Sequence, residues 1–388
     1  MSPASLSLLR KLVAFNTISR NSNLELIHFV RQYLHDLGIE SHLVPSACGQ
    51  KANLYASVGP KVEGGVVLSG HTDVVPVEGQ SWDSDPFELT EKEGLLYGRG
   101  TCDMKAFSAI ALGLVPEMLA ANLKRPIHFA LSYDEEVGCL GAPAMIERLR
   151  THIPKPSAVI VGEPTSMRAV VAHKGITALR TRVRGYEAHS SQLQRGVSAV
   201  MTAARLISFI DDMRLENAEL ANPNSPFTPP YSTLHVGTVQ GGTAINIISR
   251  DCEFVWDIRC LPGDDWRNYV QRFQDYADSL LPAMRAIAPE ANIETEVFAD
   301  APGLEDRGGA AQALVADLLG AHYHDVVPFA AEAGQFQAAG FDVVLCGPGS
   351  IDQAHQANEY ITIEQISRCE QFLRDLIQRL SDDAPSDS

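Results

Sequence analysis

The sequence predicts an α/β fold in which a mostly parallel mixed sheet, flanked by helices, carries an inserted, smaller α+β domain. The chain has 388 residues, and a single hydrophobic core usually stops growing at roughly 250–300 residues, so two domains are expected. Buried-strand runs such as "PIHFALSY" and "PSAVIVGEP" alternate with helical segments, which is typical of a sheet whose parallel strands are joined by helices. From about residue 177 the pattern changes to alternating strands, and this change indicates the second domain.

The first domain begins with an amphipathic helix in "MSPASLSLLRKLVAF", and a second helix follows over 24–37 and ends at Gly38. "IESHLVPS" then alternates like a strand, and "GGVVLSGHTDVVPV" is typical of a central strand. A polar stretch of turns over 79–100 leads into a helix in "TCDMKAFSAIALGLVPEML". In sheets of this kind, functional groups lie in the loops beyond the carboxyl ends of the strands.

The second domain is predicted from the order β-α-β-β-α, closed by one more strand. "TALRTRVRGYEAHSS" is the first strand, and a long helix runs from Gly196 to about Leu220. "STLHVGTVQGG" and "CEFVWDIRCL" are further strands, a helix follows from Asp265 to about Leu281, and "NIETEVF" is the closing strand. The predicted boundaries are 1–176 and 289–380 for the two parts of the first domain, 177–288 for the insert, and 381–388 for a disordered acidic tail.

Composition and charge exclude several classes of protein. No segment approaches the roughly 18 uninterrupted apolar residues that a membrane span requires, and a net charge of −17 disfavours nucleic acid as a partner. The seven cysteines are scattered and never form a CxxC pair, so neither a disulfide framework nor a cysteine zinc site is expected. The N-terminus lacks the pattern of a secretory signal, and we expect a cytoplasmic protein.

Carboxylates and histidines follow several of the predicted strands. They lie in "SGHTDVVP", "GRGTCDMKA", the acidic run after Tyr133, "VIVGEPT" and "GPGSIDQAHQANEY", and the residues are His71, Asp73, Asp103, Glu135, Glu136, Glu163 and His355. In an extended strand residues two apart point the same way, so Asp73 can accept the second ring N–H of His71. Adjacent residues point to opposite sides, so Glu135 and Glu136 can have different functions.

These side chains offer the nitrogen and oxygen donors that suit zinc, manganese or cobalt, and several carboxylates can bridge two such ions. Two ions about 3.5–4 Å apart can lower the pKa of a shared water toward about 7 and polarise a carbonyl. The reaction also needs a further carboxylate as general base. Spacing alone leaves a peptidase, a deacylase and a phosphatase as alternatives.

The motifs "SGHTDVVP", "YGRGTCDMKA", "SYDEEVG", "GEPT" and "AHSS" occur in an order that resembles the dinuclear zinc-dependent family of deacylases and carboxypeptidases. The resemblance covers essentially the whole chain. It implies two divalent ions, with Zn²⁺ expected first and Co²⁺ or Mn²⁺ as alternatives. It also implies a role for each motif residue: His71 and Glu163 on one ion, Glu136 and His355 on the other, Asp103 as the bridge, Glu135 as the general base and Asp73 as the residue that orients His71.

The inserted domain resembles the lid and dimerisation domain of that family, which implies a homodimer. By the same resemblance His189 in "GYEAHSS" would stabilise a tetrahedral oxyanion, and Asn246 and Arg259 would hold the carboxylate side of a substrate. The turn "GPGS", with Gly349, could offer backbone amides to a carboxylate. Glu332 is predicted to bind a cationic side chain of the substrate through a charge-assisted hydrogen bond, with a purely structural carboxylate at a helix start as the alternative.

Within the family, the stretch from Ala330 to Tyr360 most resembles the members that act on N2-acetyl-L-ornithine. The implied reaction is hydrolysis of the acetyl amide, which releases acetate and L-ornithine for arginine synthesis. Two alternatives stay open: a related deacylase or carboxypeptidase for another N-acyl amino acid, and a metal-free binding or scaffold protein. A serine hydrolase is disfavoured because no GxSxG motif is present.

Overall fold

A computed structural model describes residues 1–382 of the chain. Several helices begin at a residue whose polar side chain caps the first turn. This side chain accepts a hydrogen bond from a backbone N–H that has no partner within the helix. Ser2 accepts a hydrogen bond from the amide of Ser5, Ser198 from Met201, and Thr362 from Gln365. The helices are α1 (Pro3–Ala14), α2 (Leu24–Asp36), α3 (Lys105–Gly113), α4 (Val115–Ala120), α5 (Ala142–His152), α6 (Ala199–Glu219), α7 (Trp266–Arg285), α8 (Ala310–Leu319), α9 (Ala333–Ala338) and α10 (Ile363–Ser381).

The strands include short ones at the sheet edges and fully buried ones at the centre. They are β1 (Ser41–Pro45), β2 (Ala52–Val58), β3 (Val66–His71), β4 (Thr90–Lys92), β5 (Leu95–Tyr97), β6 (Ile127–Ser132), β7 (Ala158–Val161), β8 (Val170–His173), β9 (Ile176–Arg184), β10 (Thr233–Gly241), β11 (Asp251–Arg259), β12 (Asn292–Ala301), β13 (Asp325–Val327), β14 (Val343–Leu345) and β15 (Tyr360–Thr362).

The largest sheet has eight strands in the order β1-β2-β6-β3-β7-β14-β8-β13. The neighbours β6, β3, β7 and β14 are parallel, whereas β1 pairs with β2, and β2 with β6, in antiparallel fashion. All residues of β3, β6 and β7 are buried, as expected for parallel strands covered on both faces by helices. The predicted mixed sheet flanked by helices is therefore confirmed.

The register of the central strands aligns their carboxyl ends. His71, the last residue of β3, pairs with Ser132, the last residue of β6. On the other side of β3, Ser69 pairs with Val161, the last residue of β7. The loops that leave β3, β6 and β7 therefore begin at the same edge of the sheet.

The chain divides into two compact units. Unit 1 comprises Met1–Ala172, Leu304–Asp325 and the segment from Ala331 onward, and unit 2 comprises His173–Gly303 and Val326–Ala330. The boundary predicted at 288 was wrong, because β12 pairs with β9 along its whole length and belongs to unit 2. The other predicted boundary, at 176, lies close to the observed one.

Unit 2 contains the predicted succession β9-α6-β10-β11-α7-β12, with an antiparallel sheet in the order β10-β11-β9-β12. The core between this sheet and its two helices is aromatic, with Phe254, Trp256 and Phe273 each at most 1% exposed. The two ends of the unit lie side by side: a Cβ atom on Gly303 would lie 2.8 Å from the carbonyl oxygen of His173 and 3.0 Å from the amide nitrogen of Gly175. Only glycine allows this approach of two backbones.

The last helix, α10, reaches Ser381, one residue beyond the predicted end of the first domain. Residues 383–388, which make up most of the predicted acidic tail, lie outside the described residues. Among the helices of residues 1–382, none combines the length and the apolar character that crossing a membrane requires.

Candidate metal centre and active site

The five predicted metal ligands lie where strands of unit 1 end or in the loops that follow. His71 is the last residue of β3, Glu136 lies in the loop after β6, and Glu163 lies two residues after β7. Asp103 precedes α3, and His355 follows a short 3-10 turn over Ile351–Gln353. Because the central strands are aligned in parallel, three of these loops start from one edge of the sheet.

The structure brings the five side chains into two groups that share one residue. The ligand atoms of His71, Asp103 and Glu163 all lie within 4.8 Å of one another, and so do those of Asp103, Glu136 and His355. Oδ1 of Asp103 is 3.0 Å from Nε2 of His71, whereas Oδ2 is 3.2 Å from Nε2 of His355. Nε2 of His355 is also 3.0 Å from Oε2 of Glu136. Asp103 thus directs one oxygen toward each group.

Burial and mutual repulsion shape the electrostatics of the cluster. Burial, together with the charge of Asp103, raises the pKa of Glu163 to about 8 and that of Glu136 to about 7. Burial also acts on Asp103, but hydrogen bonds with His355 and His71 outweigh it and lower the pKa of this carboxyl. Hydrogen bonds to Asp103 and Glu136 raise the pKa of His355 to about 10. The carboxylates therefore attract positive charge, whether a proton or a cation carries it.

The residues present fit a pair of divalent cations. Imidazole nitrogens and carboxylate oxygens are the donors that zinc, cobalt and manganese accept. Oε1 of Glu163 is buried and accepts no hydrogen bond from any described residue, and a buried acceptor without a partner is costly. A cation held between Glu163, His71 and Asp103 would supply that partner.

Glu135 lies beside the two groups and belongs to neither. Burial raises the pKa of its carboxyl well above the usual range, a shift that the nearby His71 partly offsets. Its Oε1 accepts a hydrogen bond from the thiol of Cys139, at 3.3 Å between oxygen and sulfur. A carboxylate that is close to the ligands but separate from them has the position that a general base requires.

Asp73 contacts His71 in a different way from the one predicted. Nδ1 of His71 is 2.9 Å from the backbone carbonyl oxygen of Asp73 but 3.7 Å from its Oδ1. The prediction that the carboxylate orients the ring was wrong about the oxygen, because β3 ends at His71 and strand alternation does not continue to residue 73. The carboxylate instead accepts the backbone N–H groups of Glu135, at 3.1 Å, and Glu136, at 3.3 Å.

Asp134 begins the loop that carries both glutamates. Its carboxylate forms an ion pair with Lys51, whose ammonium group also donates to the backbone carbonyl of Ser19. The backbone of Asp134 is left-handed, with a φ of 57°. No role was predicted for Asp134 from the sequence. In the structure its ion pair with Lys51 stabilises the start of the loop.

Three predicted site residues lie in unit 2. The side chain of His189 is exposed, and Nδ1 accepts the backbone N–H of Ser191 at 3.2 Å, so the proton of the neutral ring is on Nε2. Asn246 is adjacent, because its backbone carbonyl oxygen accepts the amide of Ser190 at 3.0 Å. Arg259, the last residue of β11, lies 3.4 Å from a carboxylate oxygen of Asp257.

Two predicted substrate-binding residues, Gly349 and Glu332, lie in unit 1 and are hydrogen-bonded or buried within it. The amide of Gly349 already donates to Oε1 of Gln365, at 3.2 Å, so it has no N–H group left for a substrate carboxylate. Glu332 precedes α9, and its side chain is only 1% exposed. Burial raises the pKa of its carboxyl to about 7. The contact between Glu332 and a cationic side chain of the substrate stays a prediction.

Two buried charged residues next to the cluster, Arg99 and Glu359, were not predicted from the sequence. Their side chains are each 1% exposed and form an ion pair at 2.7 Å. They are 260 positions apart in the sequence, and no local pattern links them. The only available signal was a glutamate between polar residues and the apolar start of β15, four positions after His355.

Comparisons with known proteins agree with this architecture. The model of Peptidase family M20/M25/M40 matches residues 67–379. The chain is 34% identical to the acetylornithine deacetylase of Pasteurella multocida (strain Pm70) over 385 residues, 97% of each chain. It is 34% identical over 384 residues to the acetylornithine deacetylase of Proteus mirabilis (strain HI4320), 97% of this chain and 96% of the relative.

Among solved structures, an M20 family metallo-carboxypeptidase from Sulfolobus solfataricus, Sso-CP2, superposes with a TM-score of 0.77 at 18% identity. The match covers 98% of this chain and 100% of the other, and it shows a shared fold. The family match includes every residue of the two groups of ligands described above. The chain therefore belongs to peptidase family M20/M25/M40 and is a metal-dependent hydrolase of amide bonds.

Proposed function

We propose that this enzyme removes the acetyl group from N2-acetyl-L-ornithine with the help of two divalent metal ions. The observation that carries the proposal is the pair of ligand groups that share Asp103, with Glu135 beside them. The choice of substrate is supported by the two acetylornithine deacetylases, each 34% identical to this chain over nearly the whole length of both proteins. The products would be acetate and L-ornithine, which serves arginine synthesis.

Each ligand group is assigned one ion. His71 and Glu163 would hold the first ion, Glu136 and His355 the second, and the two oxygens of Asp103 would reach one ion each. The distances from Oδ1 and Oδ2 of Asp103 to the two histidines support this bridging role. The donor set suits Zn²⁺ first, with Co²⁺ and Mn²⁺ as alternatives. When bound, such ions polarise an amide carbonyl and lower the pKa of a nearby water toward about 7.

Glu135 would move the proton during hydrolysis. Its carboxylate takes a proton from the water that attacks the acetyl carbonyl carbon, and the C–N bond then breaks. The same group gives the proton to the leaving nitrogen, so that the free amine departs and Glu135 returns to its starting state. The bound cations would offset the repulsion and burial that raise the pKa of this carboxyl.

His189 is the proposed donor to the oxyanion that forms on the acetyl oxygen. Because Nδ1 of His189 accepts the amide of Ser191, Nε2 is the nitrogen that carries the proton it can donate. Asn246 and Arg259, also in unit 2, are proposed to hold the α-carboxylate of the substrate. Donors of this type stabilise developing negative charge.

The proposed function is tested by measuring rates for a panel of substrates with the metal-reconstituted protein. The panel pairs acetyl, formyl and succinyl groups with basic, neutral and acidic amino acids. We expect N2-acetyl-L-ornithine to have the highest kcat/KM, and activity to disappear after chelation and return on addition of Zn²⁺ or Co²⁺. A preference for succinyl substrates, or for free dipeptides, would indicate another member of the family instead.

We also propose that the enzyme is a cytoplasmic homodimer that associates through unit 2. Within the described residues, β10 is an edge strand of its sheet, and an open edge is a common pairing surface. Apolar side chains are exposed on this unit, with Met201 in α6 at 62% and Val239 in β10 at 52%. Light scattering of the purified protein would give twice the 42.1 kDa mass of one chain.

The proposed cytoplasmic location is supported by the cysteines. All seven cysteines are free, which suits a reducing compartment.

A further inference from the structure

The buried pair of Arg99 and Glu359 contacts two of the three loops that carry the ligands of the second ion. The two side chains lie in unit 1, each 1% exposed, with Nη1 of Arg99 2.7 Å from Oε2 of Glu359. Burying two charges carries a large desolvation penalty, which their mutual attraction and their other hydrogen bonds must offset. The contacts of each member show what this pair holds in place.

Glu359 uses both of its oxygens to hold the loop that leads to Asp103. Oε2 accepts the amide of Gly100 at 3.1 Å as well as the guanidinium group of Arg99. Oε1 accepts the amides of Cys102, at 2.8 Å, and Asp103, at 3.1 Å. One carboxylate thus accepts four N–H groups, three of which belong to the backbone of residues 100–103.

Arg99 extends the same network to the loop of His355. Its Nη1 donates to the carbonyl oxygen of Gln356 at 3.2 Å, and its Nη2 donates to Oε1 of Gln80 at 2.5 Å. The amide nitrogen of Gln80 donates in turn to the carbonyl oxygen of His355 at 2.9 Å. The guanidinium group also lies over the ring of Trp82, 5.1 Å from its centre. The carbonyl groups of His355 and of the next residue are therefore both tied to Arg99, the first of them through Gln80.

We infer that Arg99 and Glu359 are a positioning pair that sets the affinity of the second metal ion by fixing the backbones of Asp103 and His355. The inference rests on the proposed function. Two of the three ligands in the group of Asp103, Glu136 and His355 come from loops that the pair holds. In the group of His71, Asp103 and Glu163 only Asp103 does. The second ion therefore depends on the pair more strongly than the first ion.

The substitution Glu359→Gln tests this inference. A glutamine has a single acceptor oxygen, so in either orientation its NH₂ group faces two of the four N–H donors that the carboxylate accepts. Loss of groups that orient metal ligands typically weakens metal binding by about 10–100-fold. We expect a loss of this size for the second ion and a change below about threefold for the first. Titration of the metal-free protein with Co²⁺, followed by calorimetry and by visible absorption, measures both constants.

Glu370→Gln is the matched control, because Glu370 is also a buried carboxylate, 3% exposed. It accepts the amide of Ser2 at 2.7 Å and lies 3.6 Å from the N-terminal ammonium group of Met1. We expect this variant to lose stability and to bind both Co²⁺ ions like the parent. A loss of metal affinity in this control equal to that of Glu359→Gln would overturn the inference, since the effect would then follow general destabilisation.

The variant Arg99→Lys provides a second test of the inference, which can be used if Glu359→Gln does not fold. Lysine keeps the positive charge but cannot contact Glu359, Gln356 and Gln80 together. We expect the same selective weakening of the second ion. Equal weakening of both ions, or two unchanged constants in a folded variant, would overturn the inference. A parent protein that binds no Co²⁺ at all would instead overturn the proposed function, and the two failures are thus distinguishable.

Discussion

Two adjacent glutamates follow β6 at a place where their charges repel each other and water is largely excluded. The structure shows how the chain tolerates them: the carboxylate of Asp73 accepts both of their backbone amides, and Lys51 pairs with Asp134 at the start of the loop. Hydrogen bonds from the amides stabilise the charge of Asp73, while the backbone of the loop becomes fixed. The side chains of Glu136 and Glu135 are not used in these contacts, which suits their proposed roles as ligand and as base.

Glu135→Gln should abolish turnover while leaving the metal content unchanged. Glutamine keeps the shape of the side chain but cannot accept and return a proton, and general acid–base groups contribute about 10²–10⁴-fold to rates. We expect kcat to fall by at least this factor. Metal analysis of the same preparation should still give two ions per chain. A variant with near-normal kcat would remove Glu135 from the mechanism.

Asp73→Asn should weaken metal binding and slow turnover together. Asparagine has one acceptor oxygen, so one of the amides of Glu135 and Glu136 would face an NH₂ group and the loop would shift. We expect metal affinity to fall by about 10–100-fold and kcat to fall as well. Ser19→Ala is the control, because it removes only the hydroxyl that donates to Asp73. Equal effects from both variants would show that the amide contacts are unimportant.

At the scale of elements, the strand ends could be predicted and the contacts between loops could not. Apolar runs marked β3, β6 and β7, and their parallel alignment placed His71, Glu136 and Glu163 at one edge. The actual contact of the Asp73 carboxylate depends on how the chain turns after His71, which strand periodicity does not describe. The hydrogen bond from Gly349 to Gln365 in α10 depends on how that helix packs, which the turn motif alone does not describe.

Gly162, which joins β7 to Glu163, lies in close contact with Phe107 of α3. A Cβ atom on Gly162 would lie 2.1 Å from the ring of Phe107, and Phe107 is 2% exposed in the core. Gly162→Ala should therefore push β7 and α3 apart and destabilise unit 1 by about 1–3 kcal/mol. Urea denaturation measures the change. Adding Phe107→Leu should restore part of the loss, whereas no recovery in the double variant would argue against the steric cause.

At the scale of the whole molecule, buried histidines make stability depend on pH. Burial lowers the pKa of His128 from 6.5 to about 4, and burial also lowers the pKa of His173 to about 4. Between pH 6.5 and about pH 4 each of these histidines is therefore neutral in the folded state but protonated in the unfolded chain. The contribution of the neutral histidines to the free energy of unfolding is fully present above pH 6.5 and is lost as the pH falls from 6.5 toward 4.

His128→Gln should reduce the sensitivity of the fold to acid. For His128 alone the loss between pH 7 and pH 5 is about 2 kcal/mol, and glutamine does not titrate. We expect the difference in unfolding free energy between pH 7 and pH 5 to be smaller by this amount in the variant, measured by urea denaturation at both values. An unchanged difference would mean that His128 is not a source of the acid sensitivity.

The two-domain fold could be predicted from the sequence, but the position of one domain boundary could not. The change of pattern near residue 177 indicated an insert, and the family motifs indicated the ligands. The boundary at 288 was wrong because "NIETEVF" predicted a strand without showing that its partner is β9, more than a hundred residues earlier. Pairing over such distances is a property of the folded sheet and leaves no local trace.

The close approach of Gly303 to His173 and Gly175 brings the first and last residues of the segment 173–303 side by side. A segment of this kind can be gained, lost or exchanged in one genetic event, since joining residue 172 to residue 304 requires only a short connection. All five proposed ligands and Glu135 are encoded outside the exchanged segment, whereas His189, Asn246 and Arg259 are encoded within it. The proposed metal ligands and general base can thus be inherited separately from the proposed contacts to the oxyanion and the substrate carboxylate.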